Sequence, residues 1–252
     1  MTAAPSQSDG VEIVENALLG GRVRLRQPAK GYRAGMDAAL LAAAVDATPG
    51  QRVLEAGCGA GAVLMQIAAR RRGVRLTGLE RDPAMAALAR ENAALNGAEA
   101  TIVTGDVAAG FRTLEIAPFD WAVSNPPFFD DPGALRAPAP GKRGAWMADD
   151  GLKAWTDFLL KGVREGGRVV VIHRADRLAD LLILLSEKAG SFAVRGIHPY
   201  ADEPARRVLV SAIRTGKAPL RLLPPLVLHE RGGAKHTAEA EAILRGEAAL
   251  GW

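Results

Sequence analysis

The sequence predicts an α/β fold in which a mostly parallel sheet carries helices on both faces, and three observations carry the prediction. From Arg52 onward, short apolar runs alternate with helical stretches. Most of these runs end in glycine or an acid before the next helix begins, the chemistry of strand-to-helix loops. A length of 252 residues with 48% hydrophobic and 24% charged content suits one large domain with a small appendage.

Taken in order, residues 1–10 are small and polar and read as a frayed tail. Gly20-Gly21 between two alternating apolar runs predicts a tight hairpin. Met36 to Val45 reads as a helix opening near Asp37 as its N-cap. Strands follow at Arg52–Ala56, Val74–Glu80, Ala100–Thr104, Phe119–Ser124 and Gly167–His173. Helices fall at Ala62–Arg71, Pro83–Asn96, a short piece near Val107, Leu152–Val163 and Asp176–Ala189. Phe192–Tyr200 and Arg207–Arg214 have no helix between them, which predicts an antiparallel pair at the sheet edge. A Pro-rich, strand-like Leu220–Leu228 precedes a last helix over Ala238–Leu250. The organisation expected is a tail (1–10), a hairpin and helix covering the site (11–50), and the main domain (51–252). The stretch from Asp130 to Asp149 holds Lys142 and Arg143 and exceeds an ordinary connector; such loops are functional lids or disordered.

Composition excludes several classes. Apolar stretches such as Leu178 to Leu185 are broken by charge far short of the ~20 residues a membrane span needs, and no basic-then-apolar leader opens the chain. A cytoplasmic protein with no membrane partner is expected. The single cysteine, Cys58, leaves no internal disulfide and no multi-cysteine zinc site, so no metal is expected. The net charge of +4 is mild, yet no acid lies between Asn16 and Met36, where Arg22, Arg24, Arg26, Lys30 and Arg33 fall. At a period of two, the first three arginines share one strand face, an arrangement suited to RNA phosphates or to guarding an exposed edge.

The chemistry concentrates at strand ends. Val53-Leu54-Glu55-Ala56 runs into Gly57-Cys58-Gly59-Ala60-Gly61 and then a helix, so the backbone turns sharply and approaches a ligand closely. Glu80 closes the next strand, where a carboxylate accepts hydrogen bonds from ribose hydroxyls; this does not separate NAD from S-adenosylmethionine. NAD-dependent enzymes, however, place their third glycine one position later than Gly61. Asp106 adds a carboxylate suited to an adenine amino group, with capping of the following short helix as the plainer alternative, and capping by Asp82 before Pro83 explains part of the acidic cluster.

The fourth strand ends in Ser124-Asn125-Pro126-Pro127-Phe128. A conjugated exocyclic amine is a poor nucleophile that must be held rather than deprotonated. The Asn125 side-chain oxygen and the Pro126 carbonyl supply two acceptors for its N–H groups, proline fixes the carbonyl, and Phe128 offers a ring on which the target stacks. As the amine attacks a methyl group, its hydrogens become more acidic and both bonds strengthen. A loop starter followed by a core phenylalanine is the plainer alternative. His173, Arg70-Arg71-Arg72 and Trp155 read as a packed histidine, a complement to a helix C-terminus and a core residue, and Trp146 as part of a lid.

With these residues in view, the chain resembles class I S-adenosylmethionine-dependent, Rossmann-like methyltransferases that act on amino groups. More narrowly it is similar to the bacterial tRNA adenine-N6 methyltransferases that modify the anticodon-loop adenine of a valine tRNA. The carriers are "GGRVRLRQPAKGYRAGMDAALLAAAV", "VLEAGCGAGAV", "SNPPFF", "EPARRVLVSAIRTG" and "PLVLHERGGAKHTAEAEAILRG", distributed over residues 16–250. The resemblance implies a seven-stranded sheet with its last strand antiparallel. It implies S-adenosylmethionine over Gly57, Gly59 and Gly61, Glu55 near its amino-acid part, Glu80 on the ribose and Asp106 on the adenine. The segment with Tyr32, Arg33 and Asp37 folds over the cofactor in such proteins, and Asn125, Pro126 and Phe128 are the catalytic set. Phe128 stands where relatives often carry tyrosine, and Asp130 to Trp146 departs from their pattern. A tRNA partner follows, bound through Arg22, Arg24, Arg26, Lys30, Arg33, Lys142 and Arg143, by a monomer or homodimer. The same chemistry serves a protein glutamine amide or guanine N2 of ribosomal RNA; a non-catalytic binding module and an NAD dehydrogenase are the other readings.

Overall fold

A computed structural model describes residues 12–30, 34–127 and 148–252. β1 (Ile13–Leu18) and β2 (Val23–Pro28) form the expected antiparallel hairpin around Gly20 and Gly21, both at positive φ. In β2 the side chains of Val23 and Leu25 turn inward and those of Arg24 and Arg26 outward.

The main sheet contains β3 (Arg52–Ala56), β4 (Arg75–Glu80), β5 (Ala100–Thr104), β6 (Phe119–Ser124), β7 (Val163–Arg174), β8 (Ala189–His198), β9 (Arg207–Arg214) and β10 (Arg221–Val227). Their spatial order is β10-β8-β9-β7-β6-β3-β4-β5. β9 runs antiparallel to both β7 and β8, and the other pairings are parallel. The seven strands anticipated are therefore present with the seventh reversed, but β10 makes the sheet eight-stranded. The strand-like reading of Leu220–Leu228 thus becomes a strand in spite of Pro224-Pro225. At an edge those positions owe no ladder N–H, and the pairing with β8 shifts register between Leu223 and Leu226, where they sit.

Helices α1 (Met36–Ala43), α2 (Ala62–Arg70), α3 (Pro83–Leu95), α4 (Ala148–Gly162), α5 (Leu178–Ser186) and α6 (Ala238–Leu244) cover the sheet. Alternation along the strands sorts the core into two layers. Val53, Val123, Val170, Ile172 and Leu209 face Leu40, Leu64, Ile67 and Ile243. Leu54, Ala122, Val169, Val171 and Val210 face Phe158, Leu159, Leu181 and Leu185. Each fully buried Leu or Phe stabilises such a layer by ~1.5–3 kcal/mol.

Several boundaries differ from expectation for local reasons. α1 is capped by Gly35 with no side-chain bond, and Asp37 lies within its first turn. The piece near Val107 is a pair of 3-10 turns, Val107–Ala109 and Phe111–Leu114. α6 ends at Leu244, two residues before Gly246 at φ +74°. Carbonyls at and after its end are claimed from a distance: Arg70 donates to Ile243 and, beyond the helix, to Ala248, and Arg22 donates to the C-cap Arg245. Arg70 thus complements a helix C-terminus, but that of α6 rather than its own.

Candidate functional site

The carboxyl ends of β3, β4, β5 and β6 share one sheet edge, and Glu55, Gly57, Gly59, Gly61, Glu80, Asp106 and Asn125 lie at or directly after those strand ends. The N–H groups of Gly57 and Cys58 both donate to the Leu79 carbonyl, at 2.8 and 2.9 Å, which bends the chain over the end of β4. Gly57, Gly59 and Gly61 all adopt positive φ, from +53 to +84°, a region in which other residues are strained. The reason differs at each. A β-carbon on Gly57 would lie 2.3 Å from the Trp155 ring, whereas one on Gly59 would meet nothing within 4 Å. The loop is tightly packed behind Gly57 and open in front of Gly59.

Glu80 organises the loop. Its Oε2 accepts the N–H of Gly59 at 2.8 Å and its Oε1 that of Asp82 at 2.9 Å. Each oxygen keeps a lone pair for a ligand hydroxyl. Asp82 caps α3 through Ala84 and Met85, and Asp106 caps its 3-10 turn through Ala108, so capping accounts for one oxygen of each.

Glu55 is buried beneath the loop. Desolvation first, and the nearby Glu80 second, push its pKa well above the usual carboxylate range, while the Leu64 N–H pulls the other way. Its Oε2 has no hydrogen-bond partner among the described residues. Burial, reinforced by Glu55 and Glu80, also raises the Cys58 thiol, which makes it inert as a nucleophile.

Asn125 leaves the sheet beside the glycine loop. Ser124 is paired in register with Ala56, and its hydroxyl donates to the Ala56 carbonyl at 2.9 Å. Ser124 and Ala56 are thus neighbours on adjacent strands, ~4.8 Å apart by sheet spacing, and Asn125 and Gly57 are the residues that follow them. Phe128, Tyr32, Arg33, Lys142 and Arg143, with Trp146, lie outside the described residues.

The hairpin is fastened by two asparagines that sequence reasoning missed. Asn92, fully buried on α3, accepts the Arg26 N–H and donates to the carbonyls of Arg26 and Ala60, all within 2.9 Å. One turn on, Asn96 exchanges the same pair of bonds with Arg24. The two carboxamides imitate a neighbouring strand and fasten β2 to α3, and Asn92 adds the glycine loop. The signal was an i, i+4 pair of amides in an otherwise alanine-rich helix.

The arginine stripe is partly spent. Arg24 and Arg26 both pair with Glu15 across the hairpin, and Arg22 bonds the carbonyls of Leu19 and Arg245. Lys30 is exposed. Asp37, instead of capping a helix, is paired with Arg207 at the start of β9, 3.0 Å away. His173, at the end of β7 and 3% exposed, is pushed down to about 4 by burial and by Arg177, Arg174 and Arg207.

The chain is similar to several known proteins. Residues 33–136 match the family model of the methyltransferase small domain. A tRNA1(Val) (adenine(37)-N6)-methyltransferase of Aeromonas hydrophila is 33% identical over 71% of this chain and 75% of its own. The release factor glutamine methyltransferase of Deinococcus radiodurans is 40% identical, but over only 35% of this chain and 30% of its own. The crystal structure of a predicted O-methyltransferase, Atu636 from Agrobacterium tumefaciens, superposes with a TM-score of 0.70 at 28% identity, covering 86% of this chain and 99% of that one.

Proposed function

The chain belongs to the family of the tRNA1(Val) (adenine(37)-N6)-methyltransferases, and on that premise we propose that it methylates the exocyclic N6 of an adenine in the anticodon loop of a tRNA. The family and fold imply S-adenosylmethionine as the cofactor, and the chain fits it on one observation. The space in front of Gly59 is open while the loop behind is closed by Trp155. We assign Gly57, Gly59 and Gly61 to the cradle, Glu80 to the ribose and the second oxygen of Asp106 to the adenine. Glu55 acts from below, through Leu64 and the loop, and Tyr32 and Asp37 belong to the segment over the cofactor. When bound, the cofactor supplies an electrophilic methyl group.

The observation that supports the reading is that Ser124 pairs in register with Ala56 and donates to its carbonyl, so Asn125 and Gly57 each follow directly on neighbouring strand ends. Its side-chain oxygen and the Pro126 carbonyl accept the two N–H groups of the target amine, and the proline ring keeps the second acceptor aimed. Phe128 carries the target base by stacking. With the cofactor bound, these residues would hold the amine while it accepted the methyl group, the carbon–sulfur bond breaking with its electron pair left on sulfur, and one proton, already acidic, would pass to water. A strong base is not required. Residues 11–50 form the cover, 51–252 the catalytic domain, and the reaction takes place on tRNA in the cytoplasm. Arg22, Arg24, Arg26, Lys30, Arg33, Lys142 and Arg143 are the basic groups nearest that duty. Among the described residues no helix is long and apolar enough to cross a membrane.

The match to a glutamine methyltransferase favours one second reading, the side-chain amide of a protein, because that nitrogen is equally flat. Incubation with methyl-labelled S-adenosylmethionine and, separately, bulk tRNA, ribosomal RNA and protein extract decides between them. Label recovered from tRNA as N6-methyladenosine is expected; label confined to protein overturns the assignment.

A further inference from the structure

A second ring-lined site lies on the same sheet edge, beyond the ends of β8 and β10. Both strands run parallel to β7 in sense, so their carboxyl ends point where those of β3 and β6 point. There Tyr200, Asp202, His229, Glu230 and Arg231 line an open cavity of about 590 Å³. The Tyr200 and His229 rings are 5.6 Å apart and tilted by 48°, and His229 stacks on His236 at 5.1 Å. The Nδ1–H of His229 donates to the Lys235 carbonyl at 2.6 Å, which fixes that ring. The Arg231 guanidinium lies 4.3 Å over the Tyr200 ring and is 60% exposed.

The electrostatics select the class of ligand. Arg231 is paired with Asp202 at 3.2 Å and Glu203 at 3.0 Å, so its charge is balanced and its planar face is what it offers. With Glu230 also on the wall, phosphate is disfavoured. A neutral, flat ligand bearing N–H donors is favoured, since it stacks on the rings and guanidinium while its amino group meets a carboxylate. By strand count the cavity is ~15–20 Å along the edge from Asn125, a span of a few nucleotides of unpaired RNA.

We infer that this cavity docks an unpaired, amino-bearing base of the RNA substrate, a few nucleotides from the methylated adenine, with Tyr200 and Arg231 as its stacking platform. The inference rests on the RNA reading above and deepens it. It explains how the enzyme selects its RNA although much of the arginine stripe is neutralised: the contact is stacking, not charge.

The test takes the full chain and a tRNA that the wild-type protein methylates; failure of the wild type on every RNA sinks the functional reading and is scored apart. Given an active wild type, Tyr200→Ala is expected to raise KM for the tRNA roughly 10-fold or more, Tyr200→Phe to restore it, and neither to change S-adenosylmethionine affinity by calorimetry. Arg231→Ala, on an exposed loop, gives the same readout should Tyr200→Ala fail to fold. A 2-aminopurine placed in turn at each unpaired position near the target reports the contact directly. Quenching by the wild type that Tyr200→Ala abolishes supports the platform. Unchanged KM in both alanine variants, or no position quenched by the wild type, overturns it.

Discussion

The carboxamide of Asn92 exchanges two hydrogen bonds with the main chain of Arg26, 66 residues away in sequence, and donates a third to Ala60 in the glycine loop. Asn92→Ala leaves buried main-chain groups without partners, at ~1–3 kcal/mol each. We expect a loss of about 3 kcal/mol in denaturant unfolding and a weaker grip on the cofactor. Asn92→Asp, which replaces the donor by an acceptor facing two carbonyls, should be at least as damaging. A variant with unaltered stability shows that the hairpin is fastened elsewhere.

Gly57 and Gly59 should respond differently to alanine. Gly57→Ala drives a methyl group into Trp155 at a φ of +70° and should unfold or rearrange the loop. Gly59→Ala meets no neighbour, so its stability cost is the backbone term of ~1 kcal/mol. The added methyl group instead occupies the open face, so cofactor affinity by calorimetry should fall while the melting temperature barely moves. Equal melting temperatures and equal affinities for the two variants contradict this division.

Asn125→Ala removes one of two acceptors that tighten as the amine attacks. Turnover should drop by roughly 10²-fold or more, with S-adenosylmethionine binding largely retained, by analogy with losing one transition-state hydrogen bond. Single-turnover methylation of tRNA measures it, and a rate within a few-fold of wild type removes Asn125 from the chemistry.

His173 makes stability depend on pH with a defined sign. Its pKa falls from 6.5 to about 4 on folding, through burial and then Arg177, Arg174 and Arg207, against a smaller opposing effect of Asp176. Between those values the unfolded chain binds more protons than the folded one. The contribution is therefore complete above about pH 6.5 and is lost as pH falls towards 4. The loss across that window is on the order of 3 kcal/mol at most. His173→Gln should flatten the acid limb of the stability profile; an identical limb in both proteins refutes the assignment.

What the sequence made legible is what is local. The strand-loop-helix at Gly57, the acid at Glu80 and the strand exit from Ser124 to Pro127 announce themselves through periodicity and through residues whose backbone preferences are strong. The parts that stayed hidden depend on long-range partners. Nothing near Asp37 announces Arg207, 170 residues on, and the i, i+4 spacing of Asn92 and Asn96 marks a pair without naming the strand it will bind. Glu15 lies one residue outside the acid-free window, yet strand pairing folds it back onto Arg24 and Arg26. Capping was undecidable by sequence for Asp106, and the structure gives one of its oxygens to that role.

Pro224 and Pro225 in β10 bear on how copies of this protein meet. An outermost strand with two consecutive residues lacking a main-chain donor is a poor template for any further chain. Strand-by-strand growth is blocked on that flank, so copies that associate there do so through side chains.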